Sequence, residues 1–225
     1  MTALSRRLFL SLPAAAAAAA SLAKPAFAVS EPQQLVERSR IAFLDMITDN
    51  NYAEMREYVK RARALIIFPE LLKAAFIFGA EGGSGVLVGR GPQGWSNPAF
   101  YTMASGSFGL QIGGQAAELV LTIMSSRGLD AIINNQFKIG GNVGVAVGPM
   151  GKGLSAATTF SGDAFSFAKT QGAYAGLSLD GAGIFKRDSW NGEYYAAGAQ
   201  PADIVINRKY SNHNAQILVD SLAPY

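Results

Sequence analysis

Glycine sets the first limit on what this chain can fold into. All 25 glycines fall after residue 28, so they make up about 13% of residues 29–225, against about 7% in an average protein. They lie inside short β-like runs as well as between them, as in Gly109-Leu110-Gln111-Ile112-Gly113. A glycine inside a strand contributes no side-chain packing and costs backbone entropy, so it marks a bulge, a bend or a close backbone approach. So many of them predict a glycine-rich, strongly curved antiparallel sheet or a partly closed barrel. The β-like runs are 64–68, 75–80, 85–90, 99–104, 107–113, 117–125, 137–147, 154–160, 164–169, 172–179 and 182–186.

Helical periodicity frames these runs. Leu35, Val36, Ser39, Ala42, Phe43 and Met46 make one stripe over residues 33–47, which Asp49-Asn50-Asn51 interrupts. Asn51 with Glu54 three residues later resembles a capping box and predicts a second helix from about Tyr52. On it Tyr52, Met55, Val59, Ala62 and Ile66 share a face, and Arg56, Lys60 and Arg63 form an adjacent basic ridge; Pro69 closes the region. Short helices are expected at 128–134, 201–206 and 212–222. The expectation is an α+β fold, a single domain over 29–225, with N-terminal helices and a short C-terminal helix about the sheet.

Residues 1–28 read differently. Arg6-Arg7-Leu8-Phe9-Leu10, an alanine-rich apolar stretch to Leu22 and Ala26-Phe27-Ala28 are the parts of a secretory signal, and the paired arginines resemble the twin-arginine type. The expectation is export to the periplasm or beyond, with cleavage after Ala28. That route normally carries folded domains, which counts against an outer-membrane barrel. The formal net charge of +3 resides in this segment, because Arg6, Arg7 and Lys24 face no acid there. Without it 16 basic residues balance 16 acidic ones, and no basic run interleaved with aromatics points to nucleic acid.

Catalytic and cofactor signatures are sparse. There is no cysteine and one histidine, His213, in a polar segment that reads as surface. Gly148-Pro149-Met150-Gly151-Lys152-Gly153 lacks both the leading glycine and the Ser/Thr of a phosphate loop. Glu81, Glu118, Asp130, Asp163 and Asp180 are scattered acids. They read either as turn and cap residues or as a pair that meets in space for acid–base work or calcium. No cofactor is expected.

Taken in order, several segments resemble the SYLF lipid-binding domain family. They are Ala64-Leu65-Ile66-Ile67-Phe68-Pro69, Lys73-Ala74 with Gly79 to Gly85, Trp95-Ser96-Asn97-Pro98-Ala99-Phe100, Gly109 to Gly113, Gly128-Leu129-Asp130, Gly148 to Gly153, and Gly172 to Gly181. The similarity covers about residues 35–205. It implies a non-enzymatic protein that binds anionic phospholipid, with membrane contact through the basic N-terminal part, here Arg56, Lys60, Arg61, Arg63 and Lys73. The actin binding of eukaryotic members is not expected of an exported chain. The partner implied is a phospholipid or the envelope membrane surface. An envelope scaffold that contacts a protein partner and a carboxylate-dependent hydrolase are the alternatives.

Overall fold

A computed structural model describes residues 29–75, 78–108, 113–139, 145–146, 162–171 and 181–225. The expected export signal at 1–28, the Gly148–Gly153 motif, most of the Gly109–Gly113 motif and the runs expected at 154–160 and 172–179 lie outside them.

The first helix, α1 (Glu31–Thr48), starts at Ser30, whose hydroxyl accepts from the Gln33 amide, with Pro32 in the first turn. The six stripe residues expected of it are buried. Its successor differs from expectation at both ends. Asp49, not Asn51, is the capping side chain: its Oδ1 accepts from the Asn51 amide at 2.8 Å and organises a 3₁₀ turn over Asn50–Tyr52. Helix α2 (Ala53–Arg61) then begins from Tyr52 with no side-chain cap and ends at extended Ala62. Ile66 therefore belongs to the sheet; a β-branched residue at helical spacing was counted one turn too far.

The strands are β1 (Ala64–Ala75), β2 (Phe78–Gly91), β3 (Gly94–Trp95), β4 (Ala99–Phe108), β5 (Gly113–Ile123), β6 (Val145–Ala146), β7 (Ala164–Gln171) and β8 (Gly183–Lys186). Their order is β6-β7-β5-β1-β2-β4-β8, with β3 folded back on β2. All neighbours are antiparallel except the two-residue β6, which runs parallel to β7. Three short helices complete the fold: α3 (Ser126–Ile133), α4 (Asp188–Tyr194) and α5 (Gln216–Leu222). A π-helical turn at Ala202–Ile206 and a 3₁₀ turn at His213–Ala215 follow α4 in the chain. Helix α4 docks through Trp190 and Tyr194, one turn apart, whose rings both meet Phe100 edge-on. Its buried Asn191 accepts from the Phe100 amide at 2.8 Å and donates to the Phe100 carbonyl.

Pro69 does not end the first strand. It sits in a bulge, where the pairing of β1 slips between Phe68 and Leu71 against β5 and between Ile67 and Leu72 against β2. A bulge is one of the few places in a sheet where the missing proline N–H costs nothing. Across from it only glycine fits. A Cβ at Gly85 would lie 2.4 Å from Phe68 Cδ1, and one at Gly83 would lie 2.2 Å from the Glu70 carbonyl oxygen. The glycine cluster is thus strand interior, which is why the two expected runs merge into β2.

The sheet is open, yet its curvature follows from covalent reach. Lys138 bridges Gly183 on β8, whereas Val145 pairs with β7 near the other edge. Laid flat, those positions are seven strand spacings apart, about 34 Å. The seven residue steps from Lys138 to Val145 span at most about 25 Å, so the sheet must bend.

Both faces of the sheet are buried, as the unbroken run Leu65-Ile66-Ile67-Phe68 requires. Leu65, Ile67, Val86, Val88 and Val120 pack beneath Phe43, Met46, Val59, Leu218 and Leu222 of α1, α2 and α5. Ile66, Phe68, Leu119, Leu121 and Ile184 form a second core on the opposite face with Leu129, Phe137, Ile139 and Ile204.

Candidate functional site

The five basic residues expected to contact membrane have different fates. Arg56 is half-buried and turned back onto α1: its Nε donates to the Ile47 carbonyl at 2.9 Å and its Nη2 reaches Thr48 O at 3.5 Å. A guanidinium there satisfies carbonyls that the end of a helix leaves open and opposes the negative end of its dipole. Lys60 pairs with Glu57 at 2.9 Å, which holds the Glu57 carboxyl below its usual range. Arg61 and Arg63 are exposed at the end of α2. Lys73 lies far along β1, in register with Glu81 and Gln115, about 30 Å from Arg63 at strand rise. The ridge therefore contracts to Lys60, Arg61 and Arg63.

Two arginines that the sequence reading passed over adjoin this group. Arg90 at the end of β2 donates its backbone N–H to the Arg63 carbonyl. Its side chain donates to the Val59, Lys60 and Tyr225 carbonyl oxygens and lies 4.3 Å over the Trp95 ring. Arg208 donates to the Gly94, Trp95 and Gly89 carbonyls. The Arg208 acceptors are neutral internal carbonyls, so its positive charge is not cancelled by the groups that hold it. Burial pushes the Arg90 guanidinium below its usual value.

Arg90 and Arg208 line an open cleft of about 450 Å³. Its apolar part is Leu129, Val205 and Ile206, the last 50% exposed, and no acid is among the ten lining residues. The backbone at Arg208 is left-handed, with φ of 52°, a conformation uncommon for a residue with a long side chain. The usable signals were an arginine between glycines, Gly89-Arg90-Gly91, and a basic pair directly after a short apolar helix, Ile206-Asn207-Arg208-Lys209.

A second cleft, about 250 Å³, opens on the helical face between α1, the β1 bulge and β5. It is lined by Arg38, Ile41, Ala42, Pro69, Glu70, Ala116, Ala117 and Glu118. Arg38 and Glu70 approach to 3.8 Å, both half-exposed. Glu118 Oε2 is buried with no hydrogen-bond partner among the described residues. Burial raises the pKa of this carboxyl, Asp45 raises it further, and Lys169 lowers it. Lys169 stands directly across from Glu118 on β7 but hydrogen-bonds Asp45 of α1.

Of the other candidate acids whose side chains are described, Asp130 and Asp163 do not converge with Glu118. Asp163 accepts from the Ser125 hydroxyl and the Arg127 guanidinium, securing the start of α3. Asp130 is exposed on α3, and Asp180 lies outside the described residues. No group of three acidic or histidine side chains among the described residues is placed to hold a metal. His213 is exposed. No helix among the described residues is long and apolar enough to cross a membrane.

Comparison with known proteins identifies relatives of this chain. The profile described as "Ysc84: Las17-binding protein actin regulator" matches residues 104–225. The human SH3 domain-containing YSC84-like protein 1 is 34% identical over 152 residues, covering 66% of this chain and 44% of its own length. Protein YSC84 of Saccharomyces cerevisiae is 34% identical over 156 residues, covering 67% of this chain and 33% of its own. LAS seventeen-binding protein 3 of the same yeast is 32% identical over 158 residues, covering 68% of this chain and 34% of its own. The match thus spans less than half the length of these relatives. No solved structure matches. More than half of the chain fits the profile, through β5, α3 and the C-terminal helices, and the chain belongs to the Ysc84 family, the SYLF family of the sequence resemblance.

Proposed function

We propose that this chain is a non-enzymatic lipid-binding protein, exported to the cell envelope, that recognises anionic phospholipid through the end of the molecule where Lys60, Arg61, Arg63, Arg90 and Arg208 gather. The basic cleft carries this reading: two arginines held by main-chain oxygens border an apolar floor with a half-exposed isoleucine, and no acidic side chain lines it. A basic residue near an anionic surface contributes about 1 kcal/mol, and inserting Ile206 adds about 1 kcal/mol more. Such an attachment is weak, reversible and screened by salt. Export is a separate part of the proposal. Mass spectrometry of the protein from the envelope fraction should place its first residue at Val29, and retention of residues 1–28 would count against it.

The test is co-sedimentation with phosphatidylglycerol and phosphatidylcholine vesicles at low and high salt. Binding is expected on the anionic vesicles alone, lost at high salt, and weakened at least about fivefold by Ile206→Asp. Equal binding to both vesicle types, or none at all, overturns the lipid reading. The second reading, a protein-interaction scaffold, then moves first, because the matched family is described as Las17-binding.

A further inference from the structure

We infer that the cleft between α1, the β1 bulge and β5 is a binding site for a small primary alkylammonium ligand. This rests on different residues from the lipid reading. The cleft lies on the other face of the sheet and about 20 Å away along β1, from the level of Ala64 to that of Glu70.

Four observations give the ligand its chemistry. The first is the Glu118 carboxylate, which enters the cleft wall with Oε2 enclosed and without a partner. A carboxylate with an acceptor atom that no described donor satisfies leaves its charge uncompensated, which favours a cation in the cleft beside it. The second is that the nearby cations are engaged elsewhere. Lys169 turns to Asp45, and Arg38 approaches Glu70. The lining charges sum to one net negative, from Glu70 and Glu118 against Arg38.

The third observation is an apolar wall of Ile41, Ala42, Pro69 and Ala116, with Ile41 59% exposed. Leu72, 56% exposed, stands in register with Ala116 on the same strand pair. An alkyl body suits that wall. The fourth is size: the volume equals that of about eight waters, enough for a short amine.

A divalent cation fits poorly, because it asks for six or more oxygen ligands, and no third acidic side chain converges here among the described residues. A guanidinium asks for a two-pronged acceptor, whereas one oxygen of Glu118 is enclosed. An ammonium is a compact point charge that needs no such paired geometry.

The experiment is calorimetric titration of the full chain with n-butylammonium, and with tetramethylammonium as a cation that cannot donate. Saturable binding of n-butylammonium alone is expected, at least about tenfold weaker in Glu118→Gln, as loss of a charged hydrogen-bond partner implies. Ala116→Leu, which fills the cleft from a half-buried position, should abolish it while near-ultraviolet circular dichroism stays unchanged. Two arms identify the source of the amine. If n-butylammonium displaces the protein from vesicles containing phosphatidylethanolamine, the ligand is a lipid headgroup; if it binds without displacing, the ligand is a free amine. No binding, equal binding of both cations, or binding that survives both substitutions overturns the inference. Because Glu118→Gln leaves the basic cleft intact, its binding to phosphatidylglycerol vesicles should persist, so failure here and failure of the lipid reading remain distinguishable.

Discussion

The two clefts use similar materials to opposite effect. Each has an apolar wall with a half-exposed isoleucine, Ile206 in one and Ile41 in the other, beside charged side chains. In the basic cleft the charges are arginines held by main-chain oxygens, and no acidic side chain lines the cleft to answer them. In the acidic cleft the ions are paired in the neighbourhood, Arg38 with Glu70 and Lys169 with Asp45, and one carboxylate is left over. The sign of a site on this nearly neutral protein is therefore set by which residue lacks a counter-ion, not by how many charges lie nearby.

The largest test strikes the bulge that walls the acidic cleft. Gly85→Val puts a branched side chain where a Cβ already overlaps Phe68 and the Ile67 carbonyl. Deforming the bulge should cost about 3 kcal/mol and lower Tm by about 6–12 °C; a melting curve matching the parent would show that the bulge does not require glycine. Next comes Arg208→Gly, which removes the cation and relieves the left-handed backbone at once. It should weaken binding to phosphatidylglycerol vesicles about fivefold without lowering Tm. Lower stability would show that the Arg208 side chain chiefly holds the β2–β3 turn.

The smallest effect sharpens the acidic side. The Glu118 carboxyl is raised by burial, so the folded protein holds that proton at a higher pH than the unfolded chain does. Stability attributable to Glu118 is then greatest below its ordinary pKa and falls as pH rises through the folded value. Glu118→Gln should raise Tm by about 2 °C at pH 7.5 and leave it unchanged near pH 4. A gain of the same size at both pH values would separate the effect from titration.

What the sequence showed and what it hid divide along physical lines. The α1 stripe, the sheet class and the approximate places of the described strands other than β3 were readable, though not their ends, because they depend on periodicity and on the frequency of glycine. Pro69 misled, since a proline ends a strand in general but is tolerated at a bulge, and nothing local announces a bulge two strands wide. The basic ridge was half legible. Spacing placed Arg56 beside Lys60 on a helix, but whether an arginine faces solvent or caps the preceding helix depends on how the two helices pack. Arg90 and Arg208 were hidden for the same reason: 118 residues separate them, and only the fold brings them to one cleft.

Arg90 also limits how the molecule can move. It ties the last carbonyls of α2 to β2 and to Tyr225, while the indole N–H of the Trp95 beneath it donates to Leu222 O at 3.0 Å. Two helices distant in sequence thus share one fastening to the sheet. Their amides should exchange with solvent as a single cooperative unit, not by separate fraying. A membrane approaching this end would then meet α2 docked on its sheet, as a fixed face instead of a released arm.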